Sequence, residues 1–389
     1  MTVARVARSR AGAHVLLARL DNAGDVLLTG PAVRAVAATA GRVTFLCGPR
    51  GRAAAELLPG VDDVVVHRAP WIDHDRPPVE RDAELGLADR VAALGVEQAA
   101  IFTSFHQSAL PLALLLRFAG VATIAAISED FPGSLIDVRH RVDDDIHEVE
   151  RNLSLVATLG YRLTAGDDGR LAVRRRHPRR ANPAGQPGYV VVHPGASVPA
   201  RAWAPQRHEG LVDALLDEGW RVVVTGGPAE RELTRRIAGG RAGGDRGAGA
   251  AGGRAGADRV AGAAGGRSRL GVTDLGARTD LAAFAEVLAE AAAVVTGNTG
   301  PAHLAAAVGT PVVEVFAPTV PAVRWRPWGV RHEILGDQTI ACAGCRATVC
   351  PQPGHPCIGT VTIDDVIDAL RRVLADPDAT AHPVVTGRP

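Results

Sequence analysis

Four short segments, each following an apolar run, carry side chains that can grip an anion or handle a proton. The most informative is Thr296-Gly297-Asn298-Thr299-Gly300-Pro301-Ala302-His303. A strand ends at Thr296, two glycines bracket a tight loop, and Pro301 opens an Ala-rich helix. The free N–H groups at such a helix start form an anion site. Asn298, Thr299 and His303 lie around it. A lone helical histidine usually packs, but one turn after a glycine loop at a strand end the reading favours ligand contact.

The second segment is His193-Pro194-Gly195-Ala196-Ser197, with Arg201-Ala202-Trp203 just beyond. The small residues Gly195, Ala196 and Ser197 let a backbone approach a ligand, and the fork of Arg201 can neutralise phosphate oxygens. A plain strand-to-loop turn with a surface arginine is the other reading. In Thr225-Gly226-Gly227-Pro228-Ala229-Glu230 the glycines open a turn, and Glu230 falls in a first helical turn. There it either answers the helix dipole or accepts hydrogen bonds from ribose hydroxyls. In Arg19-Leu20-Asp21-Asn22-Ala23-Gly24-Asp25, Gly24 turns the chain at a strand end and Asp25 begins a helix. Asp25 therefore caps that helix or faces a cleft. No GxGxxG follows this first strand, which argues against a dinucleotide dehydrogenase.

Cys342, Cys345, Cys350 and Cys357 form a CxxC-x4-C-x6-C array in a Gly/Pro-rich loop. Four thiols so close could surround a tetrahedral zinc or ligate an iron–sulfur cluster, although the spacing does not fit paired CxxC knuckles. Structural zinc, structural cysteines without metal, and redox chemistry all remain open.

The elements that must position these segments form an α/β pattern of short apolar runs alternating with amphipathic stretches. Strands are expected at 14–20, 43–46, 63–67, 99–103 and 123–127. Helices are expected at 26–40, 52–58, 81–94, 109–118 and 143–159. Residues 166–188, rich in Gly, Pro, Arg and Asp, read as a linker carrying one short strand near 171–173. The pattern then restarts, with strands at 189–192, 221–225, 293–296 and 312–316. This divides the chain into a first domain at 1–165 and a second at 189–389. Within the second, the Gly/Ala/Arg tract 239–269 reads as a mobile loop. A final helix at 363–374 is placed to pack back across the domain boundary. Two doubly wound domains facing one another would hold ligand between their strand ends.

The 389 residues include 43 basic and 42 acidic ones, for a net charge of +1, and every basic residue counted is arginine. No concentrated basic face for nucleic acid is implied. No apolar run approaches the roughly 20 residues that span a bilayer. The short run after Arg5, Arg8 and Arg10 lacks a cleavage site and reads as a first core strand. The expected compartment is the cytoplasm, with any membrane contact peripheral and at the inner face.

Taken together and in this order, the stretches RLDNAGDVLLTGPAV, HEVERNLSLVATLG, YVVVHPGAS with RAW, VVVTGGPAE and VVTGNTGPAHLAAAVGTPVVEVFAPT resemble the ADP-heptose heptosyltransferase family. The resemblance runs from residue 14 to 375 and implies the GT-B fold of two Rossmann-like domains. It also implies inverting transfer, with no required metal, from a nucleotide-diphosphate sugar to a glycan, lipid-linked or small-molecule acceptor. Asp25 then matches the general base and Arg201 the basic position facing the donor diphosphate. Glu230 matches the acid near the donor ribose, and His303, Thr299 and Gly300 match the loop that holds diphosphate and sugar. Asn298 stands where several relatives have aspartate. Cysteine-rich stretches occur in relatives at this place and are not needed for chemistry there. A nucleotide-sugar epimerase or hydrolase on the same plan, and a non-catalytic nucleotide-sugar-binding module, are the competing readings.

Overall fold

A strand covered by helices on both faces needs no polar alternation, so its sequence is a continuous apolar run. His14–Arg19 (β1) is such a run, buried from Val15 onward. The computed structural model describes residues 12–73, 75–143, 145–175, 182–239 and 271–375. In its first half β1 pairs in parallel with β2 (Arg42–Cys47) on one side and β4 (Gln98–Ile101) on the other. With β3 (Asp63–Val66), β5 (Thr123–Ile127) and β6 (Val138–His140) they form a parallel sheet of order β3-β2-β1-β4-β5-β6. The second half repeats the plan. There β7 (Tyr189–His193), β8 (Val222–Val224), β9 (Val272–Asp274), β10 (Ala291–Gly297), β11 (Val312–Val315) and β12 (His332–Leu335) line up as β12-β11-β10-β7-β8-β9. Both orders are the doubly wound one, whose ligands sit beyond the carboxyl ends of the strands.

Several expected boundaries shift for identifiable reasons. The helix expected over 26–40 starts earlier and breaks in two, Ala23–Leu27 and Gly30–Ala37. Asn22 caps the first piece, while Pro31 has no N–H to continue its ladder. Thr29 Oγ1 donates to the Val26 carbonyl at 2.7 Å and closes the gap. The helix expected over 143–159 begins at Glu148, where His147 Nδ1 accepts from the Val149 N–H at 3.1 Å. The strand expected near 171–173 does not form. Leu171 and Val173 bury their side chains in the first domain's core, and the backbone pairs with no strand. Three short strands, β6, β9 and β12, were not expected. Each lies at or next to a sheet edge, and their half-exposed sequences VRH, VTD and HEIL carry little apolar signal.

The last helix, Ile363–Ala375, packs on its own sheet and not across the boundary. Its buried face of Val366, Ile367, Ala369, Leu370 and Val373 joins the cluster formed by Leu211, Val295, Val313 and Val315. One apolar cluster does cross from the first half to the second, joining Val26 and Leu27 to Ala302, Leu304 and Trp328. The connecting segment is strapped to both halves. Arg34 grips Asp167 with two bonds of 2.6 and 2.8 Å, and Trp328 Nε1 donates to the Gly169 carbonyl at 2.9 Å. Beyond Gly239, the Gly/Ala/Arg tract lies outside the described residues. Among the described residues no helix is long and apolar enough to cross a membrane.

Candidate active site

The two halves touch where the first helix of one meets a helix start of the other. A Cβ placed on Gly24 would stand 3.0 Å from the Gly300 Cα and 3.1 Å from His303 Cδ2. Even a methyl group there would press on the Gly300 backbone and the His303 ring, and the tight contact sets Asp25, the next residue, beside the junction of the two domains.

Asp25 caps its helix, as its sequence position allowed, and also meets Arg19. Its Oδ2 accepts the Asn22 N–H at 3.2 Å as a helix cap. Its Oδ1 lies 3.3 Å from Arg19 Nη2, and its side chain keeps 16% of its surface exposed. Arg19 is fully buried and serves several acceptors at once. Its Nε donates to Asp21 Oδ2 at 3.1 Å, its Nη1 to Glu148 Oε2 at 2.9 Å, and its Nη2 to Ser104 Oγ at 2.8 Å. Burial, reinforced by the neighbouring Asp21 carboxylate, pushes Asp25 up to about 6, against the opposing pull of Arg19. A carboxylate so placed is a base matched to neutral pH.

Arg201 answers from the second domain. Its Nε donates to Thr319 Oγ1 at 3.0 Å, and its carbonyl lies 3.3 Å from where a Cβ on Gly297 would stand. Burial works against its charge, while Asp25 and Glu314 sustain it. His303 is buried in the helix that Gly300 opens, and its Nδ1 has no partner among the described residues. Burial pushes it down to about 4, so at neutral pH it offers a hydrogen bond and not a charge. Asn298 donates from Nδ2 to the Ala317 carbonyl at 3.3 Å, leaving its buried Oδ1 unpartnered among the described residues. Thr299 Oγ1 lies 3.4 Å from Thr296 Oγ1.

Beside this group is a cavity of about 300 Å³ walled by both domains. Ala23 and Leu27 line it from the first, with His193, Glu230, Phe284, Gly300, Pro301 and Leu304 from the second. Glu230 Oε2 accepts the Gly227 N–H at 2.7 Å, and the residue lines the cavity. A Cβ on Gly195 would stand 1.9 Å from Glu230 Oε1, so a larger residue there would push that carboxylate out of its present position. Ala196 is half-buried, Ser197 is exposed, and neither joins the cavity wall. Asp25, Arg201, Asn298, Thr299 and His303 also stand off that wall. Sequence reading missed Phe284, Leu281 and Thr279 of the cavity, and it missed the hub Arg19, although Arg19 lies six residues before Asp25 in a segment already singled out.

The four C-terminal cysteines are free thiols. Their loop is bonded to the site's supports. The Gly344 N–H donates to the Pro318 carbonyl at 2.7 Å, the Arg346 N–H to Thr319 at 3.0 Å, and the Ala200 N–H to Thr348 at 2.9 Å. Burial first, then the other three thiols, push the Cys357 thiol up. The loop does not gather its sulfurs into a cage: among the described residues no three His, Cys, Asp or Glu side chains are arranged to hold a metal ion.

The sequence profile of Glycosyltransferase family 9 (heptosyltransferase) matches residues 105–243 and 250–355, well over half of the chain. The chain belongs to glycosyltransferase family 9. Lipopolysaccharide heptosyltransferase 1 of Pseudomonas aeruginosa is 29% identical over 253 residues, 63% of this chain and 61% of that protein. The chain spans about half to three-fifths of the length of the curated relatives it matches. A family 9 glycosyl transferase structure from Veillonella parvula superimposes with a TM-score of 0.71 at 14% identity, covering 93% of this chain and 97% of that one. The E. coli heptosyltransferase WaaC with ADP-2-deoxy-2-fluoro heptose gives 0.64 at 20% identity, covering 92% and 99%. These likenesses establish the GT-B fold for this family 9 chain.

Two outcomes test the geometry. Gly24→Val forces a side chain into the helix-to-helix contact and is expected to cost about 1–3 kcal/mol in a denaturant titration. An unchanged midpoint would mean the contact is loose. The second concerns Asp25, whose proton is held more tightly in the folded chain than in the unfolded one. Its contribution to stability therefore falls as pH rises from about 4, the unfolded value, to about 6. Asp25→Asn is expected to be more stable than the parent by on the order of 1–3 kcal/mol above pH 6, with the difference vanishing below pH 4. Thermal melts that show the variant weaker at pH 8 would contradict the assignment.

Proposed function

We propose that this family 9 chain transfers a heptose or closely related sugar from a nucleoside-diphosphate donor to a hydroxyl of a glycan, lipid-linked or small-molecule acceptor, with inversion. The observation that carries this reading is the facing pair: a carboxylate tuned to about 6 on the first domain, and a half-buried arginine beside a helix start on the second. The solved relative bound to an ADP-heptose analogue supports the same donor class.

The steps follow from where charge develops. The acceptor hydroxyl gives its proton to the Asp25 carboxylate as its oxygen attacks the anomeric carbon. The bond from that carbon to the diphosphate breaks on the opposite face, which inverts the centre. The leaving diphosphate gains negative charge, and Arg201 with the helix start at Gly300 stabilises it. In this scheme the neutral His303 donates a hydrogen bond, and the unpartnered Asn298 Oδ1 accepts one from a sugar hydroxyl. Glu230 takes the ribose hydroxyls in the cavity. Because protein groups meet the leaving charge, the scheme needs no divalent ion, and transfer is expected to survive a chelator. Measured loss of turnover with EDTA, restored by metal, would overturn that part.

Asp25→Ala is expected to lower transfer by ~10²–10⁴-fold, the usual worth of a general base, while ADP-heptose still binds. In the parent enzyme kcat/KM should fall on the acid side with a midpoint near 6, where the base becomes protonated. Calorimetry showing that donor binding disappears along with transfer would refute the division of roles between the two domains.

A further inference from the structure

The loop after β4 reads Phe102-Thr103-Ser104-Phe105-His106-Gln107. β4 runs beside β1 with Ile101 opposite Ala18, and the Phe102 N–H donates to the Ala18 carbonyl at 2.8 Å. The chain beyond β4 therefore passes the Arg19-to-Asp21 end of β1. Gln107 locks Ser104 there. Its Oε1 accepts the Ser104 N–H at 3.0 Å, and its own N–H donates to the Ser104 carbonyl at 3.0 Å. The Ser104 side chain is buried, where a hydroxyl must find partners.

Those partners fix which way the hydroxyl points. Ser104 Oγ donates to Asp21 Oδ2 at 2.7 Å and accepts from Arg19 Nη2 at 2.8 Å. A hydroxyl has one proton and a carboxylate can only accept it, so the proton lies toward Asp21 and a lone pair toward Arg19. Nη2 carries two N–H bonds, and three oxygens stand around it. Ser104 Oγ lies at 2.8 Å, Asp21 Oδ2 at 3.0 Å and Asp25 Oδ1 at 3.3 Å. Asp25 has the longest of these contacts. A neutral oxygen holds the shortest one, in the place a second carboxylate would otherwise take.

We propose that Ser104 is a positioning residue for the base: it engages Arg19 so that Asp25 keeps only a long, weak share of the guanidinium and stays able to accept a proton. The proposal rests on the reading of Asp25 as that base. The other charged and titratable groups around Asp25 are the same with or without the hydroxyl. Asp21 keeps its bond from Arg19 Nε, and Glu148, on the helix packed behind, keeps its bond from Nη1. From the second domain Arg201 acts on Asp25, and His303 lies on the helix that meets Gly24. Of these four only Asp21 is bonded to Ser104, and losing a neutral donor leaves its charge unchanged. Removing the hydroxyl releases an N–H of Nη2 beside Asp25. The carboxylate then draws closer and holds its proton less tightly, because a close opposite charge favours the ionised form.

The test is the pH dependence of thermal stability in four full-length proteins: the parent, Asp25→Asn, Ser104→Ala and the double variant. Comparison within each pair cancels whatever Ser104→Ala costs the fold and leaves the proton affinity of Asp25. In the parent background Asp25→Asn should melt higher at pH 8, with the gap closing toward pH 4. There the folded chain holds the Asp25 proton about a hundredfold more tightly than the unfolded one, at about 6 against about 4. Ser104→Ala should lower that affinity about tenfold, the low end of what a close opposite charge does, and so cut the gap at pH 8 to about half. An equal or wider gap in the Ser104→Ala background would overturn the proposal. Should Ser104→Ala fail to fold, Ser104→Cys, whose sulfur is a weak acceptor, must narrow the gap in the same way or the proposal fails. An Asp25→Asn variant that gains nothing at pH 8 in the parent background would overturn the reading of the base and this inference with it, an outcome distinct from an equal gain in both backgrounds.

Discussion

Two backbones meet without side chains between them at Gly24 and Gly300, and the site depends on that meeting. A β-carbon at Gly24 would hold the helix starts apart, and Asp25 would swing away from the arginine it faces. The apolar cluster that runs from Val26 and Leu27 into Ala302 and Leu304 lies directly behind the contact. Hydrophobic burial thus supplies the force that closes the domains, while the glycines supply the distance. Trp328, stacked on His147 with centroids 4.4 Å apart and bonded to the Gly169 carbonyl, holds the closure from the far side.

Electrostatics then sets what the closed site can do. Arg19, buried, neutralises carboxylates at Asp21 and Glu148 through short bonds and reaches Asp25 only through a longer one. The weakest-held of the three carboxylates is the one nearest solvent, and it keeps a proton affinity suited to a base. Across the contact Arg201 is supported by Thr319, and the cysteine-bearing loop is bonded to both sides of that support. That loop therefore braces the support of Arg201 through its own backbone. Arg324 adds a further tie, its guanidinium 3.6 Å from the Phe105 ring centroid of the opposite domain.

Much of the fold was legible because parallel strands buried on both faces leave unbroken apolar runs. β1, β5 and β7 were readable nearly to the residue for that reason. The edge strands β6, β9 and β12 were not, since VRH, VTD and HEIL hold only one or two apolar residues each, whereas the edge strand β3 reads DVVV and stood out. Asp25, Arg201, Glu230 and His303 stood out because each lies in the first helical turn or two beyond a strand, where ligands gather in this fold. Their grouping was not, because the contact between Gly24 and Gly300 joins residues 276 positions apart and leaves no local pattern. Ala196 and Ser197 looked like a ligand-facing turn; neither lines the cavity, while Gly195 packs against the Glu230 carboxylate. Arg19 was hidden because a charged residue at the end of a strand reads as an interruption until its partner Glu148, distant in sequence, is seen.

The most direct measurement is a crystal structure of the chain with ADP bound. The account places the diphosphate within hydrogen-bond reach of the Arg201 guanidinium and the Gly300 helix start, with the Asp25 carboxylate on the side where a donor sugar would extend. A diphosphate held away from Arg201, or an Asp25 carboxylate turned out of the cleft, would contradict it.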